Sequence, residues 1–360
     1  MPPPIYGASI VGQEIHDSKI INQTFNTCYL NIILTRNLIH PEGVLSRLLS
    51  YLIIYLKLIC ILISHRFDLC YLAITCHGVA FLKDSLFVLT CKLFCKRIII
   101  HQHNKGMSLD ADRKIYKTLY RWVYKNTKVI LLSQYLYNDI SKHVSKDQTC
   151  VCHNGSPEFS LPPTRIYTKA TPSRIVFLSN LFFDKGIITF LDCCDILNKN
   201  GVRFYADIVG AETSELNTYD LKREIQARSL TDIIIYHGKK TGDERNIILS
   251  KGTYFLFPTK NEAFPLVLLE AKQFHMICLS TPIGGIKDII QDGINGFLCS
   301  PDDPDSFAQR IMQLEKDTPK KEMISQNAFI DYKNRFTITH FEKNMIKCLN
   351  TALGETDNAK

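Results

Sequence analysis

Two glutamates in segment 255–275, FLFPTKNEAFPLVLLEAKQFH, are the residues of this sequence best suited to chemistry. An apolar run that predicts a strand ends near Pro258, a polar loop follows, and an apolar helix is predicted to begin near Pro265. Glu262 lies just before that helix and Glu270 lies inside it. Proline suits the first helical turn because it has no N–H to leave unpaired.

The start of this helix also predicts an anion site. The first N–H groups of a helix have no partner within it, and its positive end attracts negative charge. The N–H groups of Leu266, Val267 and Leu268 are the candidates here. An unpaired carboxylate is costly to bury, so Glu270 in an apolar helix indicates a site. Two solvated glutamates remain the alternative.

The elements that must position these residues alternate between strand-like and helix-like runs. Short, continuously apolar runs rich in β-branched residues predict strands of a parallel sheet that is covered on both faces. Repeated strand–helix alternation predicts a doubly wound α/β fold. The predicted strands are 28–35, 69–75, 97–101, 128–132, 149–152, 174–179, 203–209, 232–236, 253–257, 277–280 and 297–299, and the predicted helices are 44–64, 111–126, 186–199, 216–228, 303–316 and 337–352.

Segment 155–173, which has four prolines and no periodicity, is typical of a linker. A chain of 360 residues is long enough for two domains. Two α/β domains of similar size would flank a cleft, and ligands of such sheets bind beyond the carboxyl ends of the strands.

Charge and cysteine content narrow the class of protein. Residues 1–150 carry 18 basic and 9 acidic side chains, so the whole positive excess lies in the first half and favours a polyanionic partner. No nucleic-acid reader motif is present, which argues against nucleic acid as that partner. The chain has thirteen cysteines, most of them in apolar runs, and its N-terminus shows no targeting pattern. These features predict free thiols in a reducing cytoplasm. No ligand set has the spacing of a zinc site.

The spacing of Glu262 and Glu270 resembles the E-x7-E motif of the retaining nucleotide-sugar glycosyltransferases of family 4, which have the GT-B architecture. Further matches follow in the family's order: His153-Asn154-Gly155, FLSNLFFDKGIITFL at 177–191, Gly210, Gly238 and TPIGGIKDIIQDGINGFL at 281–298. The resemblance implies two facing Rossmann-like domains with a cleft between them. It places an acceptor-side domain at 1–160, a nucleotide-sugar domain at 161–336, and a C-terminal helix at 337–360 that crosses back to the first domain.

The resemblance also implies roles for individual residues. Lys185 would hold the donor diphosphate, Glu270 would accept hydrogen bonds from the ribose, and Glu262 would contact the transferred sugar. Backbone N–H groups around the start of the predicted helix would serve sugar and phosphate, from Phe264, Leu266 and Val267.

Two roles in the first domain leave alternatives open. His103 resembles the family's histidine at the reacting sugar, but a loop histidine with no such role, or neighbouring His101, fits the same sequence. Gly7 resembles the glycine loop that approaches the donor, where a residue without Cβ fits closely. A turn that binds no ligand explains Gly7 equally well.

Three positions depart from the family's pattern. Asn180 stands where an arginine usually accompanies the diphosphate lysine, so a donor-site residue without charge takes its place. Pro265 replaces a residue that could donate a backbone N–H. The sequence starts at MPPPIYGAS where the family has a strand before the glycine loop, so either the true start lies upstream or the first sheet lacks a strand. We predict that Pro2–Gly7 form a loop and that the first sheet has either an unfilled central place or two strands drawn together to close it. Such a gap would expose Ile32, Ile74 and Ile99.

The function implied is transfer of a sugar from a nucleotide diphospho-sugar to a glycan or lipid-linked acceptor, with retention of configuration, in cell-surface polysaccharide assembly. The family's mechanism needs no essential metal and no further cofactor. The alternative is a non-catalytic GT-B-like binding subunit of a glycan-assembly complex.

A membrane surface is the remaining candidate partner. Residues 48–63 are almost wholly apolar, but they are short for a span and contain Lys57, so a buried or half-buried helix against a sheet is the better prediction.

In 111–126, basic residues recur at helical spacing, while Ile115, Leu119, Trp122 and Val123 can face inward. A basic amphipathic helix suits an anionic membrane surface at the cytoplasmic face. A solvated face is the alternative. The basic residues are Lys114, Lys117, Arg121 and Lys125.

Overall fold

The computed structural model describes residues 7–32, 43–159 and 172–355. The chain divides into two compact units, and the division falls between Asn154 and Gly155 and again between Thr337 and Ile338. The first unit therefore includes the C-terminal residues, and the second is Gly155–Thr337. The sequence placed the first boundary six residues later, inside the proline-rich segment.

The first unit has a four-stranded parallel sheet in the order β1-β2-β3-β4, formed by β1 (Leu69–Ile74), β2 (Arg97–Gln102), β3 (Lys128–Leu131) and β4 (Thr149–Val151). Its helices are α1 (Gly7–Asp17), α2 (Lys19–Thr24), α3 (Val44–Ser64), α4 (Gly78–Phe94), α5 (Met107–Asp110), α6 (Lys114–Tyr124), α7 (Tyr137–Ile140) and, from the end of the chain, α15 (Ile338–Leu353).

Both faces of this sheet are covered, because successive side chains of a strand point to opposite faces. Ile98 and Ile100 of β2 pack into one apolar cluster with residues of α3, α4 and α6. Ile99 packs into another with residues of α1, α2 and α15. The C-terminal helix α15 therefore lies in the first unit.

The strand predicted at 28–35 is wrong over residues 28–32, which have no regular secondary structure. The hydroxyl of Tyr29 donates to the carbonyl of Ile15 at 3.3 Å and to the Asn22 side chain at 3.0 Å. Residues 28–32 are thus mostly exposed and are held by contacts with α1 and α2. Their composition alone had predicted a strand. Residues 33–35 lie outside the described residues.

Of the two outcomes predicted for the first sheet, the residues that the structure describes do not show an unfilled place with exposed isoleucines. The four strands pair consecutively, and Ile74 and Ile99 are only 5% and 0% exposed, while Ile32 is half-buried. The predicted loop at Pro2–Gly7 lies outside the described residues except for Gly7, which begins α1.

The apolar run at 48–63 forms most of α3, which is half-buried as predicted and packs against α4. Tyr51 and Tyr55 pack edge-on against Phe87 of α4, with ring centroids 5.2 and 5.7 Å apart. Among the described residues, no helix is both long and apolar enough to cross a bilayer. The outer face of α3 carries exposed Leu45, Leu48, Leu49, Leu52, Ile53, Leu56 and Ile63.

The second unit has a six-stranded parallel sheet in the order β10-β9-β8-β5-β6-β7, formed by β5 (Ser173–Leu178), β6 (Phe204–Val209), β7 (Ile234–Tyr236), β8 (Tyr254–Phe257), β9 (Ile277–Ser280) and β10 (Gly296–Leu298). Its helices are α8 (Ile187–Lys199), α9 (Thr218–Ala227), α10 (Gly242–Lys251), α11 (Leu266–Gln273), α12 (Ile286–Ile289), α13 (Pro304–Glu315) and α14 (Thr318–Arg335).

The strand order of the second unit reverses between β5 and β8, which are neighbours in its sheet. From β5 the chain continues outward in one direction and from β8 in the other. In doubly wound sheets, ligands bind beyond the carboxyl ends of strands at such a reversal. The segments that follow β5 and β8 are therefore the expected position of a site.

Candidate functional site

The sequence-predicted residues Lys185 and Glu262 come together at the point where the strand order reverses. Lys185 follows β5 and Glu262 follows β8, and the Lys185 Nζ and Glu262 Oε1 atoms are 2.5 Å apart. The ammonium group also donates to the carbonyl of Asn261 at 3.2 Å. The two side chains are 26% and 20% exposed, so they are accessible without being fully solvated.

Two glycines allow these segments to approach each other closely. Gly186, at φ +82°, lies against the carbonyl of Pro258, and a Cβ there would overlap that oxygen. Gly284, at φ +53°, lies in the same way against the carbonyl of Glu262. Glycine adopts positive φ without steric cost, and any other residue would push the backbone segments apart. The positions of Lys185 and Glu262 thus depend on the neighbouring Gly186 and on Gly284, which follows β9.

Helix α11 begins at Leu266, directly after the loop that carries Glu262. Pro265 caps the helix, and the backbone N–H of Leu268 donates to its carbonyl at 3.3 Å. Leu268 is therefore not a free donor as predicted, and the candidates that remain are Leu266 and Val267. Phe264 is 4% exposed, and its ring lies 6.1 Å from that of Phe336.

Asn180, which stands in place of the family's arginine, is exposed after β5. Its side-chain oxygen accepts a hydrogen bond from the backbone N–H of Ala211 at 3.2 Å. The amide nitrogen then remains the group that can donate to a ligand. Asn180 brings no positive charge to the segment that carries Lys185.

Glu270 forms an ion pair that the sequence analysis missed. Arg245, on α10, places Nη1 3.1 Å from Glu270 Oε1, and the two side chains are 22% and 13% exposed. Burial raises the pKa of Glu270, and the Arg245 guanidinium opposes that rise. No motif marks Arg245, which lies 25 residues before its partner; only the docking of α10 beside α11 brings the two together.

The two candidate histidines occupy different places in the first unit. His101 lies within β2, is fully buried, and its Nδ1 is 2.8 Å from the hydroxyl of Tyr71. His103 follows the carboxyl end of β2, is half-buried, and its ring centroid lies 4.0 Å from that of His101. Burial lowers the pKa of His103 to about 4 and that of His101 well below its usual range, so both rings are neutral at pH 7.

Gly7 begins α1, and none of the described neighbouring atoms lies within 4 Å of where its Cβ would be. Its role in approaching the donor stays a prediction. Over residues 7–32, 43–159 and 172–355, no three metal-ligating side chains come together. The second unit thus offers a lysine, two carboxylates and a helix start. This set can neutralise phosphate and accept hydrogen bonds from hydroxyl groups.

The chain is similar to known glycosyltransferases. Residues 165–331 match the family model described as glycosyl transferases group 1. An uncharacterized glycosyltransferase of Methanocaldococcus jannaschii is 22% identical over 56% of this chain and 53% of its own length. The putative colanic acid biosynthesis glycosyltransferase WcaL of Escherichia coli is 26% identical over 48% of this chain and 44% of its own. The chain thus spans about half the length of these curated relatives.

Solved structures extend the likeness to most of the chain. HepE of Anabaena in complex with UDP matches with a TM-score of 0.68 and 18% identity, over 82% of both chains. A glycosyltransferase of Rickettsia africae matches with a TM-score of 0.69 and 18% identity, over 83% of this chain and 81% of its own. The chain has the fold of the GT-B glycosyltransferases, and its second unit matches the group 1 glycosyl transferases.

Proposed function

We propose that the protein is a retaining glycosyltransferase of family 4 that moves a sugar from a nucleotide diphospho-sugar to a glycan or lipid-linked acceptor. The observation that carries the proposal is the meeting of Lys185 and Glu262 where the strand order reverses. The relatives named for colanic acid synthesis and the UDP bound to HepE support polysaccharide assembly and a nucleotide-sugar donor.

In the proposed mechanism the enzyme stabilises the departing diphosphate. Lys185 neutralises its charge, and the N–H groups of Leu266 and Val267 donate to phosphate and sugar oxygens. Glu262 accepts hydrogen bonds from the transferred sugar, and Glu270 accepts them from the ribose. The bond from the anomeric carbon to the phosphate oxygen breaks while the acceptor hydroxyl attacks the same face. Preorganised charge of this kind stabilises a transition state without reorganisation.

The pairing of Lys185 with Glu262 gives the free site a balanced charge. Arrival of a diphosphate provides Lys185 with a second anionic partner, and Glu262 is then free to turn to sugar hydroxyls. The mechanism assigns phosphate neutralisation to protein groups and therefore needs no essential metal. His103 is proposed to act at the reacting sugar, because of the two histidines it is the one at the strand end.

The first test is donor binding followed by turnover. Thermal shift with UDP-, GDP- and ADP-sugars identifies the nucleotide, since a bound ligand raises the apparent melting temperature by mass action. Nucleotide release from that donor then measures catalysis. Lys185→Ala should abolish most of the release, whereas Lys199→Ala, which removes an exposed lysine paired with Asp195 on α8, should not. A wild-type protein that binds no nucleotide sugar would refute the proposal.

A non-catalytic binding subunit is the second candidate, and Asn180 is the observation that favours it. Without the usual arginine, the site has one fewer cation for the leaving group. Such a subunit would bind the donor but release no nucleotide, with or without added acceptor glycans. Restoring the cation with Asn180→Arg would then raise donor affinity without producing turnover.

We also propose that the first unit acts at an anionic membrane surface of the cytoplasm. Lys114, Lys117, Arg121 and Lys125 are all exposed. Ile115 and Trp122, expected to face inward, are instead 67% and 58% exposed, because Tyr116, Tyr120, Val123 and Tyr124 form the buried face of α6. The outward face thus combines basic and apolar side chains, which suits a lipid interface.

A further inference from the structure

The ion pair between Arg245 and Glu270 leaves one atom of each side chain without a partner. Oε1 of Glu270 is engaged by Arg245, but its Oε2 is buried and accepts no hydrogen bond within the part of the chain that the structure describes. The same is true of Nε of Arg245, which is buried and donates to no acceptor there. A buried polar atom without a partner costs stability, and a charged one costs more.

The surroundings hold the guanidinium in place. Its central carbon lies 5.7 Å from the ring centroid of Phe159, and Nη2 donates to the side chain of Asn246 at 3.4 Å. Phe159 is itself fixed by stacking on Phe274, with ring centroids 6.0 Å apart. A planar cation between an aromatic ring and a carboxylate loses little freedom when it binds, so the pair is preorganised.

The unpartnered oxygen of Glu270 indicates what kind of ligand would suit it. A carboxylate oxygen accepts hydrogen bonds, and a hydroxyl group donates them. A pair of neighbouring hydroxyls, as in ribose, supplies two such donors.

We infer that Arg245 is a positioning residue for the ribose of the donor: it holds one oxygen of Glu270 so that the other is presented to the 2′- and 3′-hydroxyls. This inference rests on the proposed function, in which Glu270 meets the ribose. It adds a residue that neither the family resemblance nor any motif of the sequence indicates.

The charge of Arg245 also decides what Glu270 can do. An ionised carboxylate accepts hydrogen bonds from two hydroxyls, whereas a protonated one gives up part of that capacity. Burial raises the pKa of Glu270, and Arg245 is the group that counteracts the rise. Removing Arg245 therefore both frees the carboxylate to turn and favours its neutral form.

The experiment measures preference for ribose rather than affinity alone. Calorimetry at pH 7.5 compares UDP, GDP and ADP with dUDP, dGDP and dADP, each pair differing only in the 2′-hydroxyl. The wild-type protein should bind its preferred ribonucleotide about 10- to 100-fold more tightly than the deoxy counterpart, the range for a hydrogen bond to a charged group. Arg245→Leu should bring the two affinities to within about threefold, mainly by weakening the ribonucleotide, on the same scale.

Two further variants separate positioning from a merely structural role. Arg245→Lys keeps the charge but not the planar fork, so it should recover part of the ribose preference. Arg223→Leu removes an exposed arginine of α9 and is the matched control, with the wild-type preference expected. Because each ratio is measured on one preparation, partial unfolding of a variant lowers both affinities and leaves the ratio intact.

Two outcomes would overturn the inference. An unchanged ribose preference in Arg245→Leu, with or without equal weakening of both nucleotides, removes its positioning role. A wild-type protein that binds ribo- and deoxynucleotides equally has no ribose contact to position. Failure of the proposed function is distinguishable, because no nucleotide would bind at all, or Glu270→Gln would leave nucleotide affinity and ribose preference unchanged.

Discussion

Lys185 and Glu262 form an ion pair of 2.5 Å although 76 residues separate them in the sequence, because each follows one of the two strands between which the sheet reverses. Neither side chain is fully exposed, and the ammonium group also meets the backbone of Asn261. The two charges of the pair balance each other in the free protein. Each side chain can form new contacts when a diphosphate and its sugar bind.

The first prediction concerns the positive member of this pair. Lys185→Ala leaves phosphate neutralisation to backbone N–H groups, since Asn180 has no charge. We expect a loss of about 2–4 kcal/mol in transition-state stabilisation, the scale for removing one preorganised donor. Steady-state nucleotide release measures kcat/KM. A variant within threefold of the wild type would exclude Lys185 from the phosphate site.

The second prediction separates the two glutamates. Glu270→Ala should raise the KM for the donor with a smaller effect on kcat, because ribose contacts are made equally in the ground and transition states. Glu262→Ala should mainly lower kcat, because it is assigned to the sugar whose bond breaks. Full kinetic profiles of both variants test this split. The reverse pattern, or identical effects, would refute the assigned roles.

The third prediction uses the buried histidines of the first unit. A histidine with a depressed pKa binds fewer protons in the folded than in the unfolded state, so folding stability is lost as pH falls from the unfolded value near 6.5 toward the folded one. For His103, whose pKa falls to about 4, the loss between pH 7 and pH 5 should be about 1–2 kcal/mol.

Urea unfolding at pH 7, 6 and 5 measures this loss. Trp122 is the chain's one tryptophan and lies in α6, so its fluorescence reports on the unit that contains His103. His103→Gln should reduce the loss of stability between pH 7 and pH 5 by the share that His103 contributes and leave the share of His101. The control His65→Gln, at an exposed position after α3, should leave the pH dependence unchanged. Parallel curves for wild type and His103→Gln would contradict the prediction.

Local sequence pattern was enough to predict several of the strands and helices. The run at 97–101 has three consecutive isoleucines, which are β-branched, and it lies in β2 with both faces covered. The run at 28–35 has a similar composition, yet residues 28–32 are not a strand. A strand needs a neighbouring strand to pair with, and composition does not state whether one is present.

The residues of the candidate site also differ in whether the sequence alone could reveal them. Glu262 could be found because it lies in a polar loop between a predicted strand and a predicted helix, and Lys185 because its segment resembles the family's diphosphate-binding segment. Arg245 could not, since its meeting with Glu270 depends on how α10 docks beside α11, and no periodicity encodes that. The face of α6 was misassigned because Tyr116, Tyr120 and Tyr124 at helical spacing compete with Ile115 and Trp122 for the core, and tyrosine suits either environment.

The fourth prediction concerns metal removal. Because the proposed mechanism assigns the phosphate charge to Lys185 and the start of α11, activity should be unchanged within about twofold after exhaustive dialysis against EDTA, on the view that the preorganised protein groups carry the electrostatic stabilisation. Nucleotide release before and after dialysis measures it. Loss of activity that Mg²⁺ or Mn²⁺ restores would show that a metal shares the neutralisation.

The last prediction concerns the outward surface of the first unit. Changing Lys114, Lys117, Arg121 and Lys125 to glutamine should release the protein from anionic vesicles, because basic residues near such a surface contribute about 1 kcal/mol each. Binding of the parent should fall as salt rises, since exposed charges are screened.

Replacing Trp122 by serine should weaken binding in a way that salt does not alter, because an apolar ring that enters the interface acts through burial. Co-sedimentation with phosphatidylglycerol vesicles measures each effect. The matched control changes four exposed lysines outside α6 to glutamine, which alters the net charge equally: Lys316, Lys320, Lys333 and Lys343. If both quadruple variants bind alike, net charge rather than this face of α6 attracts the membrane; if the parent ignores anionic vesicles at low salt, the face is only solvated, and the acceptor is then a soluble glycan.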